Sequence, residues 1–395
     1  TLPSHSEYAL KDLGIPVLNP ADVSDVLDFG LFGWQLSRYA GCWAGMIAVT
    51  DTMDSAATVV LKSERTYSLP VHNRDVHISL SRAAMAQEAL LHEIKLPLAV
   101  SFAHANNINK LISRSPGASV GIVATGKAYL DVRQALFELG IPDEQALAAC
   151  GVRLLKLGMS WPLDAAEIRD FARGLATIVV VEEKRSFVED QLKTLLYGGQ
   201  APQIVGKHDA GGVGLLPTAE ELTAASVARV LAGYVPIIPN DQYLRQLEIQ
   251  DQLLAPIGGQ ANTDRLPIFC AGCPHNTSTK IPEGSRASAG IGCHYMALWM
   301  DRSTSTFTQM GGEGANWIGE HHFSSRGHVF QNLGDGTYNH SGVLAIRAAL
   351  ALGAEGLRRV SRPSPPRQQA YCGAMAAVSA MPPLLPAVEE LSQGR

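Results

Sequence analysis

The sequence has 395 residues, of which 46% are hydrophobic and 17% charged, and its formal net charge is -5. A chain of this length can bury substantial cores and predicts two or three α/β-sized units. The weakly acidic charge excludes the basic surface that nucleic acids require, and no apolar run reaches the length of a membrane span. We expect a cytoplasmic protein that acts on small molecules and binds neither nucleic acid nor membrane.

Strand and helix patterns alternate along the first half of the chain. The predicted strands cover residues 15–18, 44–51, 120–124, 152–158 and 175–183. Helical patterns follow four of these strands, and after the strand at 44–51 comes a mixed insert in which residues 79–96 have helical spacing. Such alternation, most regular from residue 120 onward, predicts a parallel sheet covered on both faces.

The stretch QNLGDGTYNHSG places an aspartate between two glycines, where a strand pattern ends and a helix pattern begins. Ligands of open α/β sheets bind at the carboxyl ends of strands. Gly334 and Gly336 let backbone N–H groups approach a phosphate, and Asp335 is suited to hold the Mg²⁺ that neutralises a diphosphate. The alternative is a plain strand-to-helix turn in which the aspartate caps the helix.

Three cysteines cluster shortly before this turn. Cys270 and Cys273 are spaced C-x-x-C, and Cys293 follows in a glycine-rich turn. Thiolates so arranged converge on zinc or on an iron–sulfur cluster, either of which needs a fourth ligand. His275 and His294 are alternative zinc ligands, and the bland alternative is buried inert thiols.

A second glycine-rich loop, TQMGGEGANWIG, lies between a strand pattern and a helix pattern. Gly311, Gly312 and Gly314 permit close approach of the backbone to a ligand, with Glu313 and Asn316 as polar contacts. The alternative is a flexible loop without a ligand.

Residues 269–319, together with NLGDGTYNHSG, closely resemble the thiamine-diphosphate domain of the indolepyruvate ferredoxin oxidoreductases, especially the long fused bacterial form. The resemblance runs from residue 1 to about 353. It implies an α/β protein with several parallel-sheet domains of the thiamine-diphosphate-enzyme type, whose first and last domains are incomplete. The expected segments are the later half of a pyrimidine-binding-like domain (1–64), a mixed insert (65–113), a transketolase C-terminal-like βαβαβα domain (114–204), a linker (205–265), the first part of the thiamine-diphosphate-binding domain (266–353) and a disordered or frame-shifted tail (354–395).

The resemblance also implies an activity: thiamine-dependent oxidative decarboxylation of an aryl 2-oxo acid such as indolepyruvate. Coenzyme A would accept the acyl group, ferredoxin would accept the electrons, and the intact family enzyme would be a homo-oligomer. The residues carried over to the cofactor are Gly311, Gly312, Gly314, Gly334, Asp335, Gly336, His340 and Ser341, with Asp335 as the Mg²⁺ ligand. Cys270, Cys273 and Cys293 match cysteines that hold a [4Fe-4S] cluster near thiamine in related enzymes.

The sequence departs from the family pattern in its last segment. Pro363 stands where a second Mg²⁺ ligand, usually asparagine, would be expected, and the surrounding text is rich in proline and arginine. Cys372, the only later cysteine, lies in the same tail. The glutamate that activates the aminopyrimidine ring belongs to the half of the first domain that precedes residue 1, so no catalytic residue is assigned.

We therefore expect a fragment of such an enzyme that is inactive alone. One alternative is a non-catalytic binding or assembly module that needs a separate partner half. Another is a zinc-dependent enzyme that uses the three cysteines.

Overall fold

A computed structural model describes residues 5–61, 66–198, 201–219, 221–238, 240–254, 266–351, 357–359 and 375–377. The chain forms two compact units, Thr1–Gly258 and Gly259–Arg395. In the described ranges, no helix combines the length and the apolar character needed to cross a membrane.

The first unit contains eight strands and eleven α-helices within its described ranges. The strands are β1 (Val17–Leu18), β2 (Gly45–Met46), β3 (Lys110–Ser113), β4 (Val120–Thr125), β5 (Val152–Leu157), β6 (Met159–Trp161), β7 (Thr177–Val181) and β8 (Gln203–Val205). The helices are α1 (Ser6–Asp12), α2 (Val23–Ala40), α3 (Thr50–Met53), α4 (Ala84–Leu90), α5 (Leu96–Ala105), α6 (Lys127–Glu138), α7 (Glu144–Ala149), α8 (Ala165–Ala172), α9 (Val188–Leu195), α10 (Ala224–Ala232) and α11 (Gln242–Leu254).

A five-stranded sheet in the order β3-β5-β4-β7-β8 forms the centre of this unit. Strands β5, β4, β7 and β8 run parallel, and β3 pairs antiparallel with β5 at one edge. All six residues of β4 are buried. A strand covered on both faces needs apolar residues at successive positions, which is why its sequence, VGIVAT, does not alternate. The predicted parallel α/β sheet is confirmed.

Hydrophobic cores lie on both faces of this sheet. On one face α6 and α10 pack against β4, β5 and β7, and on the other α8 and α9 do so. Helix α10 belongs to the segment that we expected to be a linker, yet Val227, Val230 and Leu231 lie in the core. We interpreted the segment as a linker because glycines and prolines lie on both sides of the amphipathic helical pattern.

A smaller sheet, ordered β2-β1-β6, contains β6 from the predicted transketolase-like segment. Helices α2 and α5 share a core with it, built around Leu36 and Phe102. The helical run from α4 to α5 continues beyond the predicted end at residue 96, through a π-helical turn, Leu91–Lys95. Pro97 is tolerated there because it stands in the first turn of α5.

The second unit contains a short parallel sheet. Its strands are β9 (Ala287–Ala289), β10 (Thr304–Phe307), β11 (Val329–Gly334), β12 (Leu357–Arg359) and β13 (Met375–Ala377). The order is β10-β9-β11-β12, all parallel, and β13 pairs antiparallel with β11. The α-helices described here are α12 (His275–Ser278), α13 (Ala315–Glu320), α14 (Asp335–Thr337) and α15 (Val343–Ala351).

Strands β12 and β13 fall within the predicted disordered or frame-shifted tail, 354–395. The remaining residues of that tail, including Pro363 and Cys372, lie outside the described residues.

Candidate functional site

Three glycine-containing turns meet at one edge of the second unit's sheet. Residues 290–293 follow β9, residues 308–314 follow β10, and β11 ends at Gly334. Because β9 lies between β10 and β11, the carboxyl ends of the three strands are neighbours. From β9 the chain crosses to β10 at one side of the sheet, and from β11 it crosses to β12 at the other side. The direction of the crossover therefore reverses between β9 and β11. A crevice at such a reversal of strand order is the usual ligand site of open α/β sheets.

Asp335 is the first residue of a helical run that begins directly at the end of β11. Gly334 precedes it in extended conformation, with φ -70° and ψ 148°. The run continues through a π-helical turn, Tyr338–Gly342, into α15. The sequence pattern HSGVLAIRAALALG predicted a helix from residue 340, so the helix begins five residues earlier than predicted, and Asp335 lies at its positive end.

The carboxylate of Asp335 is partly buried. Asn339 donates its side-chain N–H to the backbone oxygen of Asp335 at 2.9 Å, which leaves the carboxylate out of that bond. The alternative role of a capping side chain requires the carboxylate to accept a backbone N–H. No such bond is found in the described part of the chain. The carboxylate is thus available to a cation.

The turn after β10 touches the helix that follows β11. Gly311 has a φ of +96°, and a Cβ placed on it would collide with the hydroxyl of Ser341. The Ser341 hydroxyl lies 2.5 Å from Nδ1 of His340. The structure thus brings three predicted site residues from separate motifs, Gly311, His340 and Ser341, to neighbouring positions.

The other predicted glycines differ in their surroundings. Gly312 lies against the side-chain amide of Gln309, and Gly314, with a φ of +89°, precedes α13. Gly336 has no atom within 4 Å of an added Cβ, so its side of the helix start is open. An open backbone at a helix start is the arrangement that admits a phosphate group.

We predicted that Glu313 would contact a ligand in an open site, but the structure buries it. Its side chain is 1% exposed, and one carboxylate oxygen accepts the backbone N–H of Gly311 at 2.6 Å. Sequence reasoning missed this role because a glutamate between glycines resembles a ligand-binding residue. Asn316, named with it, has an unpartnered buried side-chain oxygen in the described structure.

Cys270 and Cys273 share the turn before α12, and Cys293 begins the 3-10 helical segment that follows β9. Cys270 is exposed, whereas Cys273 and Cys293 are partly buried. The sulfur of Cys273 lies 2.8 Å from Nδ1 of His275. Within the described ranges, no three His, Cys, Asp or Glu side chains come close enough to hold a metal ion. The structure does not bring the cysteines together as a ligand set, and the iron–sulfur assignment remains a prediction.

His275 and His294 form a buried pair. Their rings are nearly parallel, at 7°, with centroids 6.3 Å apart, and both residues are at most 2% exposed. Burial lowers the pKa of both imidazoles, and that of His294 falls to about 4 with a further contribution from His275. Both rings are therefore neutral near pH 7.

A separate charged cluster lies in the first unit, where β4 gives way to α6. The ammonium of Lys127 is within 3.7 Å of Asp51, 3.3 Å of Asp131, 3.5 Å of Glu183 and 2.9 Å of Glu221. Although burial lowers the pKa of Lys127, the bond to Glu221 and the surrounding carboxylates raise it overall. This lysine pairs with Asp131 one helical turn away and with three residues from distant parts of the sequence, and no local motif indicated the whole cluster.

Comparison with known proteins agrees with the predicted resemblance. Residues 110–246 match the family model of the indolepyruvate oxidoreductase domain. The indolepyruvate oxidoreductase subunit IorA of Pyrococcus horikoshii is 26% identical over 376 residues, which covers 86% of this chain and 54% of that protein. The subunit IorA of Thermococcus kodakarensis is 27% identical over 384 residues, with the same two coverages. The resemblance to the indolepyruvate oxidoreductases is confirmed, and this chain spans about half the length of these relatives.

A solved 2-oxoglutarate:ferredoxin oxidoreductase from Magnetococcus marinus is also similar. It shares 16% identity and covers 56% of this chain and 42% of its own, with a TM-score of 0.35. A score this low supports no further inference.

Proposed function

We propose that the second unit binds thiamine diphosphate and Mg²⁺, as part of an oxidoreductase that acts on 2-oxo acids. The observation that carries the proposal is the carboxylate of Asp335, which has no hydrogen-bond or ion-pair partner among the described residues and lies at the start of a helix, beside glycine turns from two adjacent parallel strands. An anion at this edge would accept hydrogen bonds from backbone N–H groups and would be attracted by the positive end of the helix. Asp335 would bind the cation.

The residues present fit the diphosphate half of the cofactor. Gly336 leaves its side of the helix start open. Ser341 packs directly against Gly311, because any residue with a Cβ at position 311 would collide with the Ser341 hydroxyl. Asp335 would hold Mg²⁺, and the backbone of residues 335–337 would donate hydrogen bonds to the phosphate oxygens. When bound, thiamine diphosphate supplies the carbanion nucleophile and the electron sink for decarboxylation.

The substrate class follows from the relatives. The similar curated proteins are named indolepyruvate oxidoreductase subunits, which supports an aryl 2-oxo acid as substrate. Coenzyme A as acyl acceptor, ferredoxin as electron acceptor and a homo-oligomeric enzyme belong to the same proposal. The cysteine arrangement gives no support for routing electrons through a cluster in the described residues, so the proposal includes no such step.

Calorimetric titration of thiamine diphosphate into the full chain, with and without Mg²⁺, tests the proposal. We expect saturable micromolar binding that requires Mg²⁺. The variant Asp335→Asn should weaken binding at least tenfold, because a neutral amide is a poorer Mg²⁺ ligand.

Asp301→Asn is the matched control, since Asp301 is an exposed aspartate of the same unit outside the glycine turns. Equal binding by the Asp335 and Asp301 variants would contradict the proposed role of Asp335. Absence of binding by the unaltered chain would reject the site.

A further inference from the structure

Cys270 and Cys273 stand at the two ends of one tight turn with the sequence CAGC. The backbone N–H of Cys273 donates to the backbone oxygen of Cys270 at 3.0 Å. Gly272, the third residue of the turn, has a φ of +74°, as type II turns require at that position. The first and last Cα atoms of such a turn are less than about 7 Å apart. Since disulfides span Cα separations of about 4.4–6.8 Å, this backbone places the two cysteines where a disulfide can join them.

Contacts on both sides hold the turn in place. The side-chain amide of Asn276 donates to the same backbone oxygen of Cys270 at 3.0 Å. The rings of Phe269 and His275, which flank the turn, stack with centroids 5.1 Å apart, and both residues are buried. The two cysteines are therefore held close together by their surroundings, which raises the effective concentration of one thiol at the other.

The two sulfurs differ in their access to solvent. Cys270 is exposed, whereas Cys273 is partly buried and its sulfur lies 2.8 Å from Nδ1 of His275. Thiol–disulfide exchange depends on access, so a dissolved reagent meets Cys270 first. Cys293 begins a different segment, and the described residues bring no three His, Cys, Asp or Glu side chains close enough to hold a metal ion. The turn thus presents a pair of thiols of unequal access rather than part of a metal-ligand set.

We propose that Cys270 and Cys273 form a reversible disulfide by exchange with a low-molecular-weight disulfide. The sulfur of Cys270 attacks the small disulfide, breaks its S–S bond and releases one small thiol. The sulfur of Cys273 then attacks that of Cys270, which closes the intramolecular disulfide and releases the second small thiol. The cysteines lose two electrons to the small disulfide, and their two protons leave with the released thiols. This inference does not depend on the proposed function.

Disulfide mapping of the full chain tests the inference. The reduced protein is incubated with glutathione disulfide, the remaining thiols are alkylated, and the peptides are quantified by mass spectrometry. We expect the Cys270–Cys273 disulfide as the main product in the unaltered chain. Cys273→Ser should stop the reaction halfway, so that the glutathione adduct of Cys270 accumulates at least fivefold above its level in the unaltered chain. In Cys270→Ser, the partly buried Cys273 should react at least fivefold more slowly than Cys270 does in Cys273→Ser.

Cys293→Ser is the control, and its yield of the Cys270–Cys273 disulfide should stay within twofold of that of the unaltered chain. The map of the unaltered chain needs no variant to fold and decides by itself. Cysteines that stay reduced, a stable glutathione adduct on Cys270, or a Cys270–Cys293 bond as the main product would overturn the inference. The same holds if the purified chain carries a zinc ion or an iron–sulfur cluster that binds both sulfurs.

Discussion

Lys127 holds four acidic side chains around one ammonium group. One ammonium is shared by four carboxylates, so the carboxylates compete for it. The hydrogen bond from Lys127 lowers the pKa of Glu221, whereas burial raises the pKa of Asp131 to about 6 against the attraction of the same lysine. The four partners come from residues 51, 131, 183 and 221, and only Asp131 is at a local spacing that sequence could indicate. The other three contacts depend on the complete fold.

We predict that Asp131→Asn reduces the pH dependence of stability. The folded protein binds the Asp131 proton more tightly than the unfolded chain does. That contribution is therefore fully present below about pH 4 and is lost as the pH rises through about 6. A shift of this size corresponds to at most about 3 kcal/mol. Thermal melts of the variant and the unaltered protein between pH 4 and 7 measure it.

As the pH increases from 4 to 7, the melting temperature of Asp131→Asn should increase relative to that of the unaltered protein. Asp170→Asn is the control, because Asp170 is exposed and pairs only with the neighbouring Arg173 among the described residues. Parallel pH curves for the unaltered protein and Asp131→Asn would show that Asp131 does not contribute in this way.

At the scale of single elements, hydrophobic patterns predicted the strands well. β4, β5 and β7 appear where their β-rich runs predicted them, since the strands of a parallel sheet covered on both faces are rich in apolar residues. Helix α10 lies in a segment that we interpreted as a linker with a helical part, because its place in the core depends on packing on α6, a partner about a hundred residues away. The helix start at Asp335 was placed too late, because GDGT suggests a turn when its tertiary contacts are unknown.

The packing of α8 on β4 gives a prediction for Gly121. A Cβ at this position would lie 2.5 Å from Cδ1 of Leu175 and 2.8 Å from Cζ of Phe171. Gly121→Ala should therefore lower the free energy of unfolding by about 1–3 kcal/mol. Gly117→Ala is the matched control, since an added Cβ there meets nothing within 4 Å. Chemical denaturation compares the two, and equal stabilities would contradict the close packing.

At the scale of the whole molecule, the family-model match and the candidate site lie in different units, although the similarity to the relatives covers 86% of the chain and so extends into both. The family model matches residues 110–246, within the first unit, whereas the glycine turns and Asp335 lie in the second. Sequence motifs located the turns, because glycine spacing and the strand-to-helix change are local. They could not reveal that Glu313 is buried or that the three cysteines form no metal-binding group among the described residues, since both depend on how distant loops fold.

We propose above all that Asp335 binds the metal of a thiamine diphosphate complex. A crystal structure of the full chain with thiamine diphosphate and Mn²⁺ in place of Mg²⁺ tests it most directly, because manganese gives an anomalous signal. We predict a manganese peak about 2.1 Å from a carboxylate oxygen of Asp335, with the diphosphate against the helix start. Cofactor and manganese bound elsewhere, with the Asp335 carboxylate making no metal contact, would contradict the account.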